Sequence, residues 1–165
     1  QIFSGGQTGL TKGIAHMEAL KDSLKPITDA AASAAGEKPL SAVYITDNYG
    51  HAATGDTVLH RLILAAGADN AASADREWTP DKQSLNKAQV IFCPEQIVKE
   101  IKSMADLAEC PAVKNGRVYG LNAAAMERQS RRMIDAVKDM ALKMYPGAFE
   151  ADTTTGQAST TAAAQ

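Results

Sequence analysis

The sequence has little of several residues that mark specialised classes of protein. Aromatic residues make up 5% of the 165 residues, and there are only two cysteines and three histidines. The cysteines, Cys93 and Cys110, lack the CxxC spacing of a zinc site, so either a disulfide or two buried thiols would account for them. No run approaches the roughly 18 consecutive apolar residues that a membrane-spanning helix needs. The composition therefore excludes a zinc ribbon and an integral membrane protein.

The sequence also has no excess of charge of either sign. Its net charge is −2 and its isoelectric point is about 5.9, which argues against nucleic acid or an anionic membrane as the main partner. The length predicts one domain. The first residue is Gln1 rather than Met, so we expect the chain to derive from a longer one. Residues 151–165 contain no apolar residue larger than alanine after Ala151, which predicts a disordered low-complexity tail.

Helical and extended segments alternate along the rest of the chain. Apolar periodicity predicts helices at residues 8–36 (with a kink or break at Pro26), 57–66 (capped by Asp56), 94–104 and 129–144. Short β-rich runs occupy 41–46 and 89–93, and two more flank the Asn115–Gly116 turn signal, whereas 68–88 reads as irregular. This alternation predicts an α/β fold with a mostly parallel sheet. Ligands of such sheets bind beyond the carboxyl ends of the strands, here near 47–51, 93–96 and 122–128.

A glycine-rich segment opens the chain. Backbone N–H groups of a loop such as Gly5–Gly9 can converge on a phosphate, although the Gly-Lys step of a P-loop is missing. Residues 2–9 also resemble the opening of Rossmann-like molybdenum-carrier and lysine-decarboxylase-like nucleotide-binding proteins. A small nucleotide- or anion-binding protein is therefore one functional hypothesis, and a loop that merely caps the first helix is the alternative.

Three side chains outside the predicted helices and strands are candidate ligand contacts, and two of them lie in an expected ligand-facing loop. Tyr49 and His51 follow the first strand and could ligate iron or haem, or stack on an organic ligand; a polar surface loop is the alternative. Trp78, the single tryptophan, fits either a recognition rim or a plug over the core. His16 and His60 lie on predicted helices among polar residues and are expected to be solvated.

Three arginines, Arg128, Arg131 and Arg132, begin the last predicted helix. A guanidinium there could clamp a carboxylate or phosphate, or point into water. No nucleophile and base are spaced as a catalytic pair, which favours a protein that is not an enzyme.

Four stretches resemble the carboxy-terminal half of class III, or helical-backbone, solute-binding proteins of ABC importers. The first comprises residues 43–46 and 55–72, and the second Trp78 with 85–92. The third, Ala112–Tyr119, is the most specific, and the fourth comprises 130–131 and 142–146. The resemblance implies a three-layer Rossmann-like lobe at 41–150, preceded at 1–40 by a glycine-rich start and a long connector helix.

The same resemblance implies a function. The family delivers ferric siderophores, haem or cobalamin to permease subunits, without catalysis, outside the cytoplasm and often as a lipoprotein. It would place the ligand against Tyr49, His51, Trp78, Met126 and Arg131. It implies no resident cofactor or metal, only a bound iron chelate, haem or corrinoid, and membrane attachment only through a lipid anchor outside this chain. The acid nearest to the family's docking carboxylate is Asp81. An interaction domain without a small ligand is the third hypothesis.

Overall fold

The structure is a computed structural model that describes residues 7–127 and 131–153. Gly5 and Gly6 of the predicted anion loop, Arg128 and residues 154–165 of the predicted tail lie outside these ranges. Gln7–Gly9 form the first turn of a helix instead of an open loop. None of the helices in the described ranges combines the length and the apolarity needed to cross a bilayer.

Four strands form one parallel sheet in the order β2-β1-β3-β4. The strands are β1 (Leu40–Tyr44), β2 (Ala68–Asn70), β3 (Val90–Pro94) and β4 (Val118–Leu121). The helices are α1 (Gln7–Ala35), α2 (Val58–Ala65), α3 (Lys82–Leu85), α4 (Val98–Ser103), α5 (Pro111–Lys114), α6 (Ala123–Glu127) and α7 (Arg132–Met144). Short 3-10 turns occupy Glu95–Ile97, Ala105–Leu107 and Pro146–Thr153. The predicted α/β class with a mostly parallel sheet is confirmed.

Each face of the sheet carries its own apolar core, because successive strand side chains point to opposite faces. Tyr44 and Phe92 face α1, α2 and α7 in a core that includes Ile63 and Met140. Val43, Ile91 and Cys93 face the other side, with Ile101 of α4 and Leu107. The central strands are buried on both faces, as expected for a parallel sheet covered by helices.

Several boundaries differ from the predicted ones. The region predicted to be irregular contains β2 and α3, and the segment before Asn115 is helical, so Asn115–Gly116 ends α5 rather than joining two strands. A parallel sheet explains this, since parallel neighbours need a crossover and not a hairpin. Thr57, not Asp56, caps α2. The helix α1 continues past Pro26 without a break, with residues on both sides of the proline packed against the core.

The structure also shows the burial of both cysteines and of His60. Cys93 and Cys110 are both buried free thiols, and burial raises the pKa of Cys93 to about 11. His60 is half-buried rather than solvated, and its Nδ1 lies 3.2 Å from Nδ2 of the buried Asn70.

Candidate functional site

The strand order places a topological switch point between β1 and β3. The chain leaves β1 for β2 on one side and leaves β3 for β4 on the other, so the connections diverge at the carboxyl ends of these strands. Such a divergence opens a crevice in which α/β proteins bind ligands. The loop of residues 45–57 begins at this crevice, after β1, and residues 71–81 follow β2, the edge strand that pairs with β1. We call them the first and second rim loops.

The first rim loop is organised by the carboxylate of Asp47. Its Oδ1 accepts hydrogen bonds from the backbone N–H groups of Tyr49 (2.9 Å) and His51 (3.2 Å). The loop then closes on itself, since the N–H of Thr46 donates to the carbonyl oxygen of His51 at 2.8 Å. An aspartate bonding to backbone two residues onward is a common way to fix a tight turn. The backbone that carries Tyr49 and His51 is therefore fixed.

Asp47 also orients the imidazole of His51. The Nδ1 atom of His51 lies 2.7 Å from Oδ2 of Asp47. Burial acts to raise the pKa of Asp47, but hydrogen bonds from His51 and Tyr49 outweigh it, so the pKa lies below the ordinary value of 3.8. The ionised carboxylate can only accept, so Nδ1 carries a proton, and Nε2 is the ring nitrogen that can offer a lone pair to a metal. A carboxylate in this position is how proteins orient histidines that ligate metals.

The second rim loop contains a tight turn at Arg76–Thr79. The N–H of Thr79 donates to the carbonyl oxygen of Arg76 at 3.1 Å, and the two central residues have φ angles of 57° at Glu77 and 60° at Trp78. A turn with two central residues of positive φ is of type I′, which normally takes glycine, asparagine or aspartate. Trp78 is thus held in a conformation that bulky residues avoid.

The two rim loops are joined by close backbone contact. The N–H of Ala52 donates to the carbonyl oxygen of Trp78 at 3.0 Å, and the N–H of Gly55 donates to that of Asp75 at 3.2 Å. A Cβ atom at Gly55 would lie 1.9 Å from the carbonyl oxygen of Ser73, so only glycine fits. The predicted residues of the two loops are therefore parts of one surface.

A small pocket opens beside this surface. It has a volume of about 170 Å³ and is lined by Tyr49, Gly50, His51, Thr79, Pro80, Lys82, Leu85, Met104, Asp106 and Leu107. Tyr49 is 84% exposed and Trp78 is 41% exposed, which leaves two aromatic side chains at the rim facing solvent. The pocket is smaller than those that enclose whole organic ligands, so a larger ligand would lie across the rim and contact the pocket with one part.

The remaining predicted residues lie elsewhere. Met126 is fully buried in the core that contains α7, which removes its side chain from the rim surface. Arg131 is exposed and precedes α7, beyond β4 at the far end of the same sheet edge. Asp81 is exposed, and its carboxylate accepts from the N–H of Gln83 as the N-cap of α3.

A second pocket lies at the β4 end of the edge. It has a volume of about 310 Å³ and is lined by Leu121, Asn122, Ala125, Arg132, Asp135, Ala136 and Asp139. Its lining mixes one cation with two carboxylates and no aromatic residue, so it lacks the planar apolar surfaces that the rim offers.

Three organising residues of the rim loops were not among the predicted ones. Asp47, Thr54 and Asp56 act through hydrogen bonds to backbone or to one another. The role of Asp47 could have been predicted, because an aspartate in a loop commonly accepts a hydrogen bond from the backbone N–H two residues onward, here that of Tyr49. The bonds of Thr54 and Asp56 reach more than 20 residues along the chain, and no local pattern marks them.

The described residues offer a metal ion a single side-chain ligand rather than a complete coordination shell. Within residues 7–127 and 131–153 no three histidine, cysteine, aspartate or glutamate side chains are grouped so that they could hold a metal ion. A single oriented imidazole instead suits a metal complex that brings its other ligands and has one axial position open.

Comparison with known proteins identifies the architecture. No family model matches the chain. Over 102 residues the chain is 28% identical to the uncharacterized ABC transporter substrate-binding lipoprotein YvrC of Bacillus subtilis (strain 168), covering 58% of this chain and 32% of that protein. The periplasmic heme-binding protein BhuT, solved with two hemes, superimposes on 82% of this chain and 56% of its own, with a TM-score of 0.68 and 19% identity.

A second solved heme-binding protein has a similar fold. The periplasmic heme-binding protein RhuT from Roseiflexus sp. RS-1, in apo form, covers 79% of this chain and 56% of its own, with a TM-score of 0.62 and 21% identity. The chain thus spans about a third of the curated relative and 56% of each of these two structures. The resemblance stated from the sequence is confirmed: the chain has the fold of about half of a class III periplasmic solute-binding protein.

Proposed function

We propose that this chain is the carboxy-terminal lobe of an extracytoplasmic, non-catalytic solute-binding protein that serves an ABC importer. Its relative in Bacillus subtilis is named as a substrate-binding lipoprotein, and the two structural neighbours are named as periplasmic heme-binding proteins. The ligand is a small metal complex of the iron-chelate, haem or corrinoid class, taken up at the rim rather than enclosed.

The observation that carries this proposal is the Asp47–His51 pair at the rim. Its 2.7 Å contact engages Nδ1 and leaves Nε2 of His51 as the ring nitrogen available to a metal, in a residue that lines the same small pocket as Tyr49. Such a donor binds a metal only where the metal has an open coordination position. Haem iron and corrinoid cobalt have one, whereas a hexadentate siderophore already fills all six positions. Haem is therefore the ligand to test first.

The other rim residues supply the remaining contacts in this proposal. The exposed faces of Trp78 and Tyr49 would cover planar apolar surface of the ligand. The guanidinium of Arg131, farther along the same sheet edge, would form an ion pair with a carboxylate at the periphery of the ligand. Met126 takes no part, because it is buried. Asp81, on the exposed start of α3, is the residue proposed to face the permease.

Titration with haem tests the proposal directly. Binding is expected to quench the fluorescence of Trp78, the single tryptophan, and to shift the Soret band as an imidazole enters the coordination sphere. His51→Ala should remove the Soret shift and weaken binding. His16→Ala, which removes an exposed histidine of α1, serves as the matched control and should bind as the unmodified chain does.

Two results would contradict the proposal. One is the absence of saturable quenching with haem, cobalamin and a ferric siderophore alike. The other is a Soret shift that persists in His51→Ala, which would place the axial ligand elsewhere.

A further inference from the structure

The turn that carries Trp78 is strained, and both of its central residues lack the freedom of glycine. Glu77 and Trp78 have φ angles of 57° and 60°. In the left-handed region the Cβ atom of such a residue clashes with the backbone, so this turn persists only where its surroundings hold it.

The backbone of this turn is held from outside, by the first rim loop. The N–H of Glu77 donates to Oδ2 of Asp56 at 3.2 Å, and the N–H of Trp78 donates to Oγ1 of Thr54 at 3.1 Å. The carbonyl oxygen of Trp78 accepts from Ala52 at 3.0 Å. Both backbone polar groups of Trp78 are therefore bound before any ligand is present.

Thr54 and Asp56 work as one unit. Thr54 is fully buried, and its hydroxyl donates to Oδ1 of Asp56 at 2.6 Å while it accepts from Trp78. This bond, together with the one from the N–H of Glu77, lowers the pKa of Asp56, so the carboxylate is ionised and accepts from both donors. Thr54 is thereby oriented with a lone pair toward the N–H of Trp78.

We propose that Thr54 and Asp56 are positioning residues that hold Trp78 in its left-handed conformation as a preformed face of the ligand site. This inference rests on the proposed function for the identity of the ligand, but not for the arrangement of the turn. It means that ligand affinity depends on two side chains that need not touch the ligand, because they set the fraction of molecules in which Trp78 is ready to bind.

Asp56→Ala and Thr54→Val test the positioning role without any ligand. Each removes one acceptor from the turn, so the strain is expected to relax and the exposure of Trp78 to change. Acrylamide quenching and the emission maximum of Trp78 measure this, and no other tryptophan contributes. Asp69→Ala removes an exposed carboxylate of β2 and is the matched control, with unchanged quenching expected.

A rescue variant separates positioning from general damage. Glycine adopts positive φ without a Cβ clash, so Glu77→Gly added to Asp56→Ala should return the quenching toward that of the unmodified chain. If Asp56→Ala and Thr54→Val leave Trp78 unchanged, or if Glu77→Gly fails to reverse the change, the positioning role is wrong.

Haem titration of the same variants tests the consequence for binding. If Asp56→Ala leaves about a tenth of the molecules with the turn in place, the apparent Kd rises roughly tenfold, and Glu77→Gly should recover most of that loss. An unchanged Kd in a variant whose Trp78 has moved would show that Trp78 is not a ligand contact. Should the unmodified chain fail to bind haem, the proposed function fails while the fluorescence results still decide the positioning role.

Discussion

At the scale of single residues, Asn70 connects the end of β2 to both rim loops. Its Nδ2 donates to the carbonyl oxygen of Ala53 at 2.8 Å, and its Oδ1 accepts from the N–H of Ala72 at 3.0 Å. Asn70→Ala leaves both buried groups without this partner, and we expect a loss of about 1–3 kcal/mol in the free energy of unfolding. Urea denaturation measures it. Asn48→Ala, at an exposed position, should stay within about 0.5 kcal/mol; an equal loss in both variants would contradict the role.

The same scale shows which site residues a sequence can reveal. Tyr49 and His51 could be predicted as candidate contacts because they follow β1, and strand ends locate the ligand-facing edge of a parallel sheet. Trp78 is a candidate only as the single tryptophan, because the short strand β2 before it has no readable pattern. Met126 also follows a strand, but it belongs to a helix whose apolar face turns toward the core, and the sequence does not say which way that face turns. Thr54 and Asp56 could not be predicted, because their partners are distant in sequence and become neighbours only on folding.

At the scale of elements, the turn between α2 and β2 depends on a glycine packed against α1. Gly67 has a φ of 81°, and a Cβ atom there would lie 2.8 Å from the carbonyl oxygen of Ala31. Gly67→Ala should therefore lower the free energy of unfolding by about 2 kcal/mol or more, because backbone strain and overpacking add.

Substitutions at two other glycines separate the contribution of backbone strain from that of overpacking. Gly36 has a φ of 60°, and a Cβ atom there would have no neighbour within 4 Å, so Gly36→Ala measures strain alone, about 1–2 kcal/mol. Gly147 has neither positive φ nor a close neighbour, and Gly147→Ala should change stability by less than about 0.5 kcal/mol. Equal losses at Gly36 and Gly67 in urea denaturation would show that the contact with α1 contributes nothing.

Elements were predictable where their pattern was long. The periodicity of α1 and α7 and the apolar runs of β1 and β3 gave their type and nearly their bounds. The strand β2 has three residues, and α3 and α5 have four each, which is less than two periods of a helix. These elements form because the neighbouring strand or core holds them, and that context is absent from a local pattern.

At the scale of the whole molecule, the alternation of elements predicted a parallel sheet but not its strand order. The order β2-β1-β3-β4 depends on which way each crossover turns, and that choice determines that the loops after β1 and β2 adjoin while Arg131 lies beyond β4. The grouping of Tyr49, His51 and Trp78 apart from Arg131 is thus a property of topology.

Because every central strand contributes side chains to both faces of the sheet, the two cores are expected to unfold together. Ile63 of α2 lies in the core that α1, α2 and α7 form with one face of the sheet, and Ile91 lies in the opposite core; both are fully buried. Ile63→Ala and Ile91→Ala should each lower the free energy of unfolding by about 2–5 kcal/mol. Leu64→Ala, at a position 46% exposed on the same helix as Ile63, should cost far less. Far-UV circular dichroism and Trp78 fluorescence should report one midpoint in each variant. Two midpoints in Ile91→Ala, with the rim lost before the helices, would show that the faces fold as separate units joined only by the backbone of the sheet.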